Sequence, residues 1–593
     1  MPRRYSPEPT TSLPIWLDRA QVRPASNEIL IDGEIVHVRP KTMAVLERLI
    51  AGRGEVVTKE SILNHVWPNM EVSDGALTDA VHELRRAFSD NSRDPRFIQT
   101  IPRRGYRTIA DITVPRFGSP RIAVLPFTSL SDDPEDRYFC DGLAEELIGG
   151  LGRIRQVEVV ARTSSFKLAE DESDHQRLAA KLDASHLVSG SLRRTGNRIR
   201  VIAYLIDPET ETEIWSAVFD RELGDLISVQ DEIASNIAQT VAPQLGLAAG
   251  HRLISVSTSN LEAYRQFSKG RYFWKQFNYD PARPMEFYRN ALELDPDFAL
   301  PHAGMVECYN TFAVFHLMPQ SQAREASIEH AERALFLDPY SADTLFAFGY
   351  MQFYMHWNLR LAEMAFNKAL AINPNHVLAL CFLSMLLCPL QRRNESRRYA
   401  ETATRLDPFS PFSWWMRSVV SHYNRDPEDA LDAAEQGLEL SQDDVLMRWI
   451  RADSVTRLSG RRRALDLIRD LDVRTDEQPM FKACAGVLYS LVGEESETLR
   501  IRERLSGGSS RDSGAAFVDS LLFTHLNDFE GALDCLEQAE AEKDATFWVI
   551  GCSPYFDPLR HHPRFVRLLK RLALDTASLQ SWASGEMSPE FPR

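Results

Sequence analysis

The sequence predicts a multidomain chain: an α+β head, an α/β middle and an all-α repetitive body. Three observations predict it. Within residues 22–112, short alternating segments flank helical patterns of period 3.6. From about 119 to 249, short apolar strands alternate with helices. From about 258 to 575 the pattern is helical, with a recurring motif about 34 residues apart. The chain has 593 residues, 44% apolar and 26% charged, which excludes collagen-like, mucin-like or wholly disordered classes. Its net charge of −16 repels nucleic acid and anionic membranes, so any nucleic-acid function belongs to a local basic region.

The head holds that region. Residues 1–115 carry 16 Lys+Arg against 15 Asp+Glu, while the remainder has a net charge of −17. Between Arg85 and Arg107 stand seven arginines and two acids. Met43, Leu46, Leu49 and Ile50 form one helical face after Pro40. Thr58 is placed to cap a second helix, whose face is Ile62, Leu63 and Val66. Ser73 is placed to cap a third, with Leu77, Val81, Leu84 and Phe88 inward and Thr78, His82, Arg85 and Arg86 outward. Phe97–Ile101 and Tyr106–Ile109 read as strands of a hairpin, with Gly105 allowing positive φ at its turn. A helix about 10–12 Å across fits the DNA major groove. Thr78, His82, Arg85 and Arg86 suit base edges, and Arg103, Arg104 and Arg107 suit phosphates. The bland reading of the helix arginines is pairing with Glu83 or Asp90, and Tyr106 reads as core.

The segments Val57–Leu63, Val66-Trp67-Pro68, Leu84–Phe88, Phe97–Ile101 and Arg104–Arg107 resemble the OmpR/PhoB-type winged helix-turn-helix across 22–113. The resemblance implies a recognition helix at Gly75–Ser89 and a wing containing Arg103–Arg107. It also implies an RNA polymerase contact loop of Pro68, Asn69, Met70, Glu71, Val72 and Ser73. Asp79 and Glu83 share the helix, which favours binding as a homodimer or on tandem half-sites. About twenty residues precede the module, so no receiver domain is expected there and residues 1–21 read as a flexible end.

In the middle region, Arg121–Phe127 is a buried strand and Leu143–Leu151 a helix. Strands follow at 157–160, 186–188, 198–205 and 214–219, then a helix from about Ile227 to Leu245. IAVLPFTSLSDDPEDRYFCDGLAEELIGGL, with GSLRRTGNRIRV, resembles the TolB-N-terminal-like domain, placed at 119–249, which implies no catalytic residues. Asp132, Asp133, Asp136 and Asp141 read as a capped loop and helix start rather than a metal cluster.

In the body, Ala-Leu-x-Leu-Asp-Pro and its variants end at Pro296, Pro339, Pro374 and Pro408, and a fifth copy lacks proline at Gly437–Leu440. Small residues let paired helices approach, and the proline stops the second helix. The pattern matches the tetratricopeptide repeat over 258–575; it fades from about 445 to 525 and returns at Ala532, Leu536 and Ala539. Residues 576–593 read as a flexible tail. The dense aromatics of the repeats read as core, or as a groove for a protein partner.

No Gly-Lys pair occurs, nor H-E-x-x-H, nor G-x-S-x-G, and none of the seven cysteines forms C-x-x-C. The expectation is therefore no enzyme, no cofactor and no metal. The longest apolar run, Val377–Leu390, is too short to span a bilayer, so no membrane attachment and a cytoplasmic, nucleoid-associated location are expected. The order of modules resembles HilA-like transcriptional regulators. That resemblance implies a regulator, an activator more than a repressor, that binds double-stranded promoter DNA by its head and partners or signals by its repeats. The alternatives are a repeat-based scaffold or, more remotely, a cyclase-like enzyme.

Overall fold

The computed structural model describes residues 15–17, 20–23, 27–31, 34–51, 56–67, 74–88, 90–91, 95–101, 104–109, 112–113, 120–131, 136–172, 174–222, 224, 226–241, 258–275, 281–459, 461–475, 478–506 and 515–584. Residues 1–118 and 119–593 form two compact units.

The first unit is a winged helix-turn-helix domain. Strands β1 (Ile15–Leu17), β2 (Ala20–Arg23), β3 (Glu28–Ile31) and β4 (Glu34–His37) lead into helix α1 (Pro40–Ala51). Strand β5 (Val57–Thr58), helices α2 (Lys59–Val66) and α3 (Asp74–Ala87), and strands β6 (Ile98–Ile101), β7 (Gly105–Thr108) and β8 (Ile112–Thr113) follow. One antiparallel sheet runs β4-β3-β2-β1-β8, and a second runs β5-β7-β6. Thr58 caps α2 as expected, accepting from the Ser61 N–H at 3.2 Å. The core joins Met43, Leu46 and Leu49 of α1 to Ile62 of α2 and to Leu77, Val81, Leu84 and Phe88. The first sheet begins at Ile15, inside the 1–21 segment expected to be flexible. The reason is a distant partner: β1 pairs with β8 as well as with β2, which no local pattern reveals.

The second unit opens with an α/β layer. Its elements are β9 (Arg121–Val124), β10 (Thr128–Ser129), α4 (Asp136–Gly152), β11 (Glu158–Val159), α5 (Arg162–Asp171) and α6 (His175–Leu182). Then come β12 (His186–Thr195), β13 (Arg198–Asp207), β14 (Thr212–Glu222) and α7 (Leu226–Val241). The sheet runs β11-β9-β12-β13-β14, parallel on the β11 side and antiparallel on the β14 side. Ile122 and Val124 join a core with α4 and α7, while Ala123 and Leu125 join another with α5 and α6. Burial on both faces explains why β9 is continuously apolar after Arg121. Asp136 and Asp141 are engaged by Arg194 and Arg162, each at 3.0 Å.

Eight helical pairs follow among the described residues. They are α8 (Leu261–Lys275) with α9 (Ala282–Leu294), α10 (Ala299–Val314) with α11 (Gln320–Leu337), α12 (Ala342–Tyr354) with α13 (Leu359–Ile372), and α14 (Val377–Leu386) with α15 (Arg393–Leu406). The series continues with α16 (Pro411–Tyr423) and α17 (Pro427–Leu440), α18 (Val445–Leu458) and α19 (Arg461–Arg474), α20 (Pro479–Leu491) and α21 (Glu495–Ser506), and α22 (Ala515–His525) and α23 (Phe529–Ala541). Helices α24 (Pro563–Arg571) and α25 (Thr576–Ser584) close it, so helix continues into the segment expected to be a flexible tail. Pro296, Pro339, Pro374 and Pro408 each stand two residues past a helix end. The pairing also runs through 445–525, where the sequence signature fades.

In that faded stretch a buried polar network joins the packing of Ala452, Ala464, Ala483 and Ala485. Asp453 on α18 accepts from Arg457 Nε at 2.7 Å and from the Tyr555 hydroxyl at 3.0 Å, and lies 2.8 Å from His422 Nδ1 on α16. Trp449 donates to the same tyrosine oxygen at 2.8 Å. Burial raises the Asp453 carboxyl, but His422 and Arg457 outweigh it and hold the group well below the usual carboxylate range. Its contribution to stability is therefore present above the unfolded-state value near 4 and declines as pH falls below it. Asp453→Asn should cost about 3–5 kcal/mol near neutral pH. The deficit should narrow below about pH 4. Chemical denaturation across pH measures both.

Candidate nucleic-acid interface

Helix α3 presents two faces because its apolar residues recur at helical spacing. Leu77, Val81, Leu84 and Phe88 are buried. Gly75, Thr78, Asp79, His82 and Arg86 are exposed along the opposite side. Two of its charged groups serve the fold instead. Glu83 turns to the start of α1, accepting from the Arg39 N–H at 3.0 Å and the Thr42 hydroxyl at 2.6 Å. Partial burial raises its carboxyl, but the bonds from Thr42 and Arg39 outweigh that and leave it below its ordinary value. A carboxylate at a helix N-terminus also complements the helix dipole.

Arg85 is half-buried, and its guanidinium donates to the Ile98 carbonyl and the Thr100 hydroxyl, both at 2.9 Å. It ties α3 to strand β6 and makes no ion pair with Glu83 or Asp90. Asp90, just past the helix, accepts from the backbone N–H groups of Arg96, Phe97 and Ile98 at 2.7, 3.2 and 2.9 Å. Phe88 stacks on Phe97 with ring centroids 4.7 Å apart. The wing is thus held to the end of α3 by a ring stack, a carboxylate and a guanidinium.

In the wing, Arg104 is exposed, and Arg107 is half-buried with Nε donating to Gln99 at 2.7 Å. Tyr106 is buried, in the core position expected. Arg103 and the loop Pro68–Ser73 lie outside the described residues. Gly105 does not take the positive φ the sequence suggested. A Cβ there would fall 2.0 Å from the Val57 carbonyl oxygen, so glycine is required by the close approach of β5. Arg96, outside the candidate set, is exposed beside the wing, its backbone fixed by Asp90. Its place in the basic run is the signal that points to it. The structure therefore gathers Thr78, His82 and Arg86 on one exposed stripe, sets Arg104 on the wing, and gives Arg85 a bracing role.

Residues 33–108 match the family described as "Transcriptional regulatory protein, C terminal". A Rhizobium meliloti (strain 1021) protein named putative adenylate cyclase 3 is 35% identical over 187 residues, 31% of this chain and 32% of that protein. This chain thus spans about a third of that relative's length. The transcriptional regulator HilA of Salmonella typhimurium is 21% identical over 508 residues, 83% of this chain and 88% of HilA. Among solved structures, the DNA-binding domain of E. coli CadC is 26% identical, over 17% of this chain and 95% of that one, with a TM-score of 0.16. No helix among the described residues is long and apolar enough to cross a membrane.

Exposed and bracing arginines should respond differently to truncation. Arg104→Ala should lower the slope of log affinity against log salt by about one, and Arg86→Ala should cost about 1–3 kcal/mol of binding and relax sequence preference, both with unchanged unfolding. Arg85→Ala should cost about 1–3 kcal/mol of stability through its lost bonds to Ile98 and Thr100. Gly105→Ala should cost about as much, 1–3 kcal/mol, by overpacking against Val57. Duplex binding in a salt series and denaturation of the full chain separate these outcomes.

Proposed function

We propose that this chain is a DNA-binding transcriptional regulator, acting as an activator on double-stranded promoter DNA. The observation that carries the reading is the exposed Thr78/His82/Arg86 stripe on α3, braced to an arginine-bearing wing inside a domain matching transcriptional regulators. Inserted in the major groove, the stripe offers a hydroxyl, an imidazole and a guanidinium to base edges. Arg104 neutralises backbone phosphate, which adds affinity and salt dependence without sequence preference. Arg103, Arg107 and the polymerase-facing role of Pro68–Ser73 extend this reading by resemblance. The modest charge of the head favours two copies on paired half-sites. The repeats supply a surface for a protein partner, and the site of action is the cytoplasm, on the nucleoid.

We read the likeness to the cyclase-named protein as a shared domain, not a shared reaction. The regulator likeness runs over 83% of the chain and the cyclase likeness over 31%.

Selection from a random duplex pool with the full chain tests the proposal. A recurring half-site should emerge in two copies, centred about one helical turn or a multiple apart. A His82→Ala/Arg86→Ala double variant should lose that enrichment while keeping its fold. No enriched sequence, or equal enrichment by the double variant, would overturn the reading.

A further inference from the structure

A cavity of about 510 Å³ lies between the α/β layer and the first helices of successive pairs. Helix α4 and the start of α5 line one side, and α8, α10, α12, α14 and α16 the other. The volume falls in the usual small-molecule range of about 300–1,000 Å³.

Its solenoid wall is aromatic. Successive ring centroids lie 5.7 Å apart for Phe346–Tyr350, 4.4 Å for Tyr350–Phe382, 6.3 Å for Phe382–Phe412 and 5.5 Å for Phe412–Trp415. The buried indole N–H of Trp415 has no hydrogen-bond acceptor among the described residues.

Its charge is acidic. Glu145, Glu146, Glu307, Asp343, Asp407 and Asp444 line it, against Arg153, Arg162 and Arg271. Arg271 is taken up by Glu145 and Glu307 at 3.3 and 3.2 Å, and Arg162 by Asp141 at 3.0 Å. Asp343 faces His376 Nε2 at 3.6 Å. Asp407 accepts from the Ser164 hydroxyl at 2.6 Å. Glu146 differs: no described residue gives its carboxylate a hydrogen bond or ion pair. Burial, with Glu145 and Asp343 nearby, pushes this carboxyl up to about 8 against the opposing pull of Arg153 and Arg271. A cation at Glu146 would give that carboxylate the partner the described residues do not supply.

We propose that this cavity binds a small organic cation, an amine with an aromatic or alicyclic body. Its ammonium group pairs with Glu146, and its body lies against the Phe346–Trp415 wall. Ring faces carry negative potential, so the same wall favours the charged end as well as the apolar one. This inference stands apart from the DNA-binding reading, because it concerns residues of the second unit alone.

Isothermal titration of the full chain with tryptamine, phenethylamine and cyclohexylamine tests it, with indole-3-acetate and phenylacetate as matched anions. At least one amine should bind one-to-one below about 1 mM, and its matched anion at least tenfold more weakly. Glu146→Gln should weaken the amine at least tenfold. Gly149 lines the cavity, and a Cβ there meets nothing within 4 Å, so Gly149→Phe should fill the space and abolish binding. Its circular dichroism and melting should match or exceed those of the unaltered chain. No saturable heat from any amine, equal binding of amine and anion, or undiminished binding by either well-folded variant would overturn the proposal.

Discussion

Burial of Leu77, Val81, Leu84 and Phe88 decides which side of α3 the first unit shows to its surroundings. Each such side chain contributes about 2 kcal/mol when removed from water. Rotating the helix to hide His82 and Arg86 would forfeit that and strand two polar groups in the core. The polar stripe is thus a consequence of the apolar one. The wing inherits its direction from the same helix, because Phe88 stacks on Phe97, Arg85 bonds the β6 backbone, and Asp90 gathers three wing amides. Helix α3 and the wing are thus joined at three points, which fixes their spacing.

A comparable constraint organises the second unit. The turns that end α13 and α15 do more than stop helices. Asn375 donates to the carbonyls of Gly152 and Val157 and accepts from the Val159 N–H, all at 3.0 Å. Asp407 accepts from the Ser164 N–H at 3.1 Å as well as from its hydroxyl. The Arg121 guanidinium reaches the Arg405 carbonyl at 2.5 Å. These groups are largely out of water, so leaving any partner unmatched would cost about 1–3 kcal/mol. The α/β layer is therefore held in one register on the repeat turns, and the cavity between them keeps a defined shape.

Sequence patterns that are local proved legible, and those that depend on distant partners did not. The faces of α1, α2 and α3, the Thr58 cap, the wing hairpin and the repeats ending at Pro296, Pro339, Pro374 and Pro408 follow from spacing alone. Strands β1 and β8 escaped because each is short and finds its partner far along the chain. The later helical pairs escaped because α19 and α21 end without a proline two residues on, although Ala452, Ala464, Ala483 and Ala485 still pack between the helices. Turns within pairs place His316, Trp357, Gln391 and Arg425 at positive φ, where glycine would be the usual sign. At the candidate site, exposure of His82 and Arg86 follows from helical period. The bracing role of Arg85 does not, since it depends on where β6 passes.

The head's near-neutral total also understates what duplex DNA meets. Glu83 is absorbed into the start of α1 and Asp90 into the approach to the wing, both bonded to backbone amides. Arg86, Arg96 and Arg104 stay exposed. At physiological salt, charges beyond about 8 Å are largely screened. The chain's −16 therefore matters less to a phosphate than the few side chains within that distance. With Glu83 and Asp90 drawn inward as braces and Arg86, Arg96 and Arg104 left outward beside the exposed Asp79, the described surface there is more basic than the domain's total.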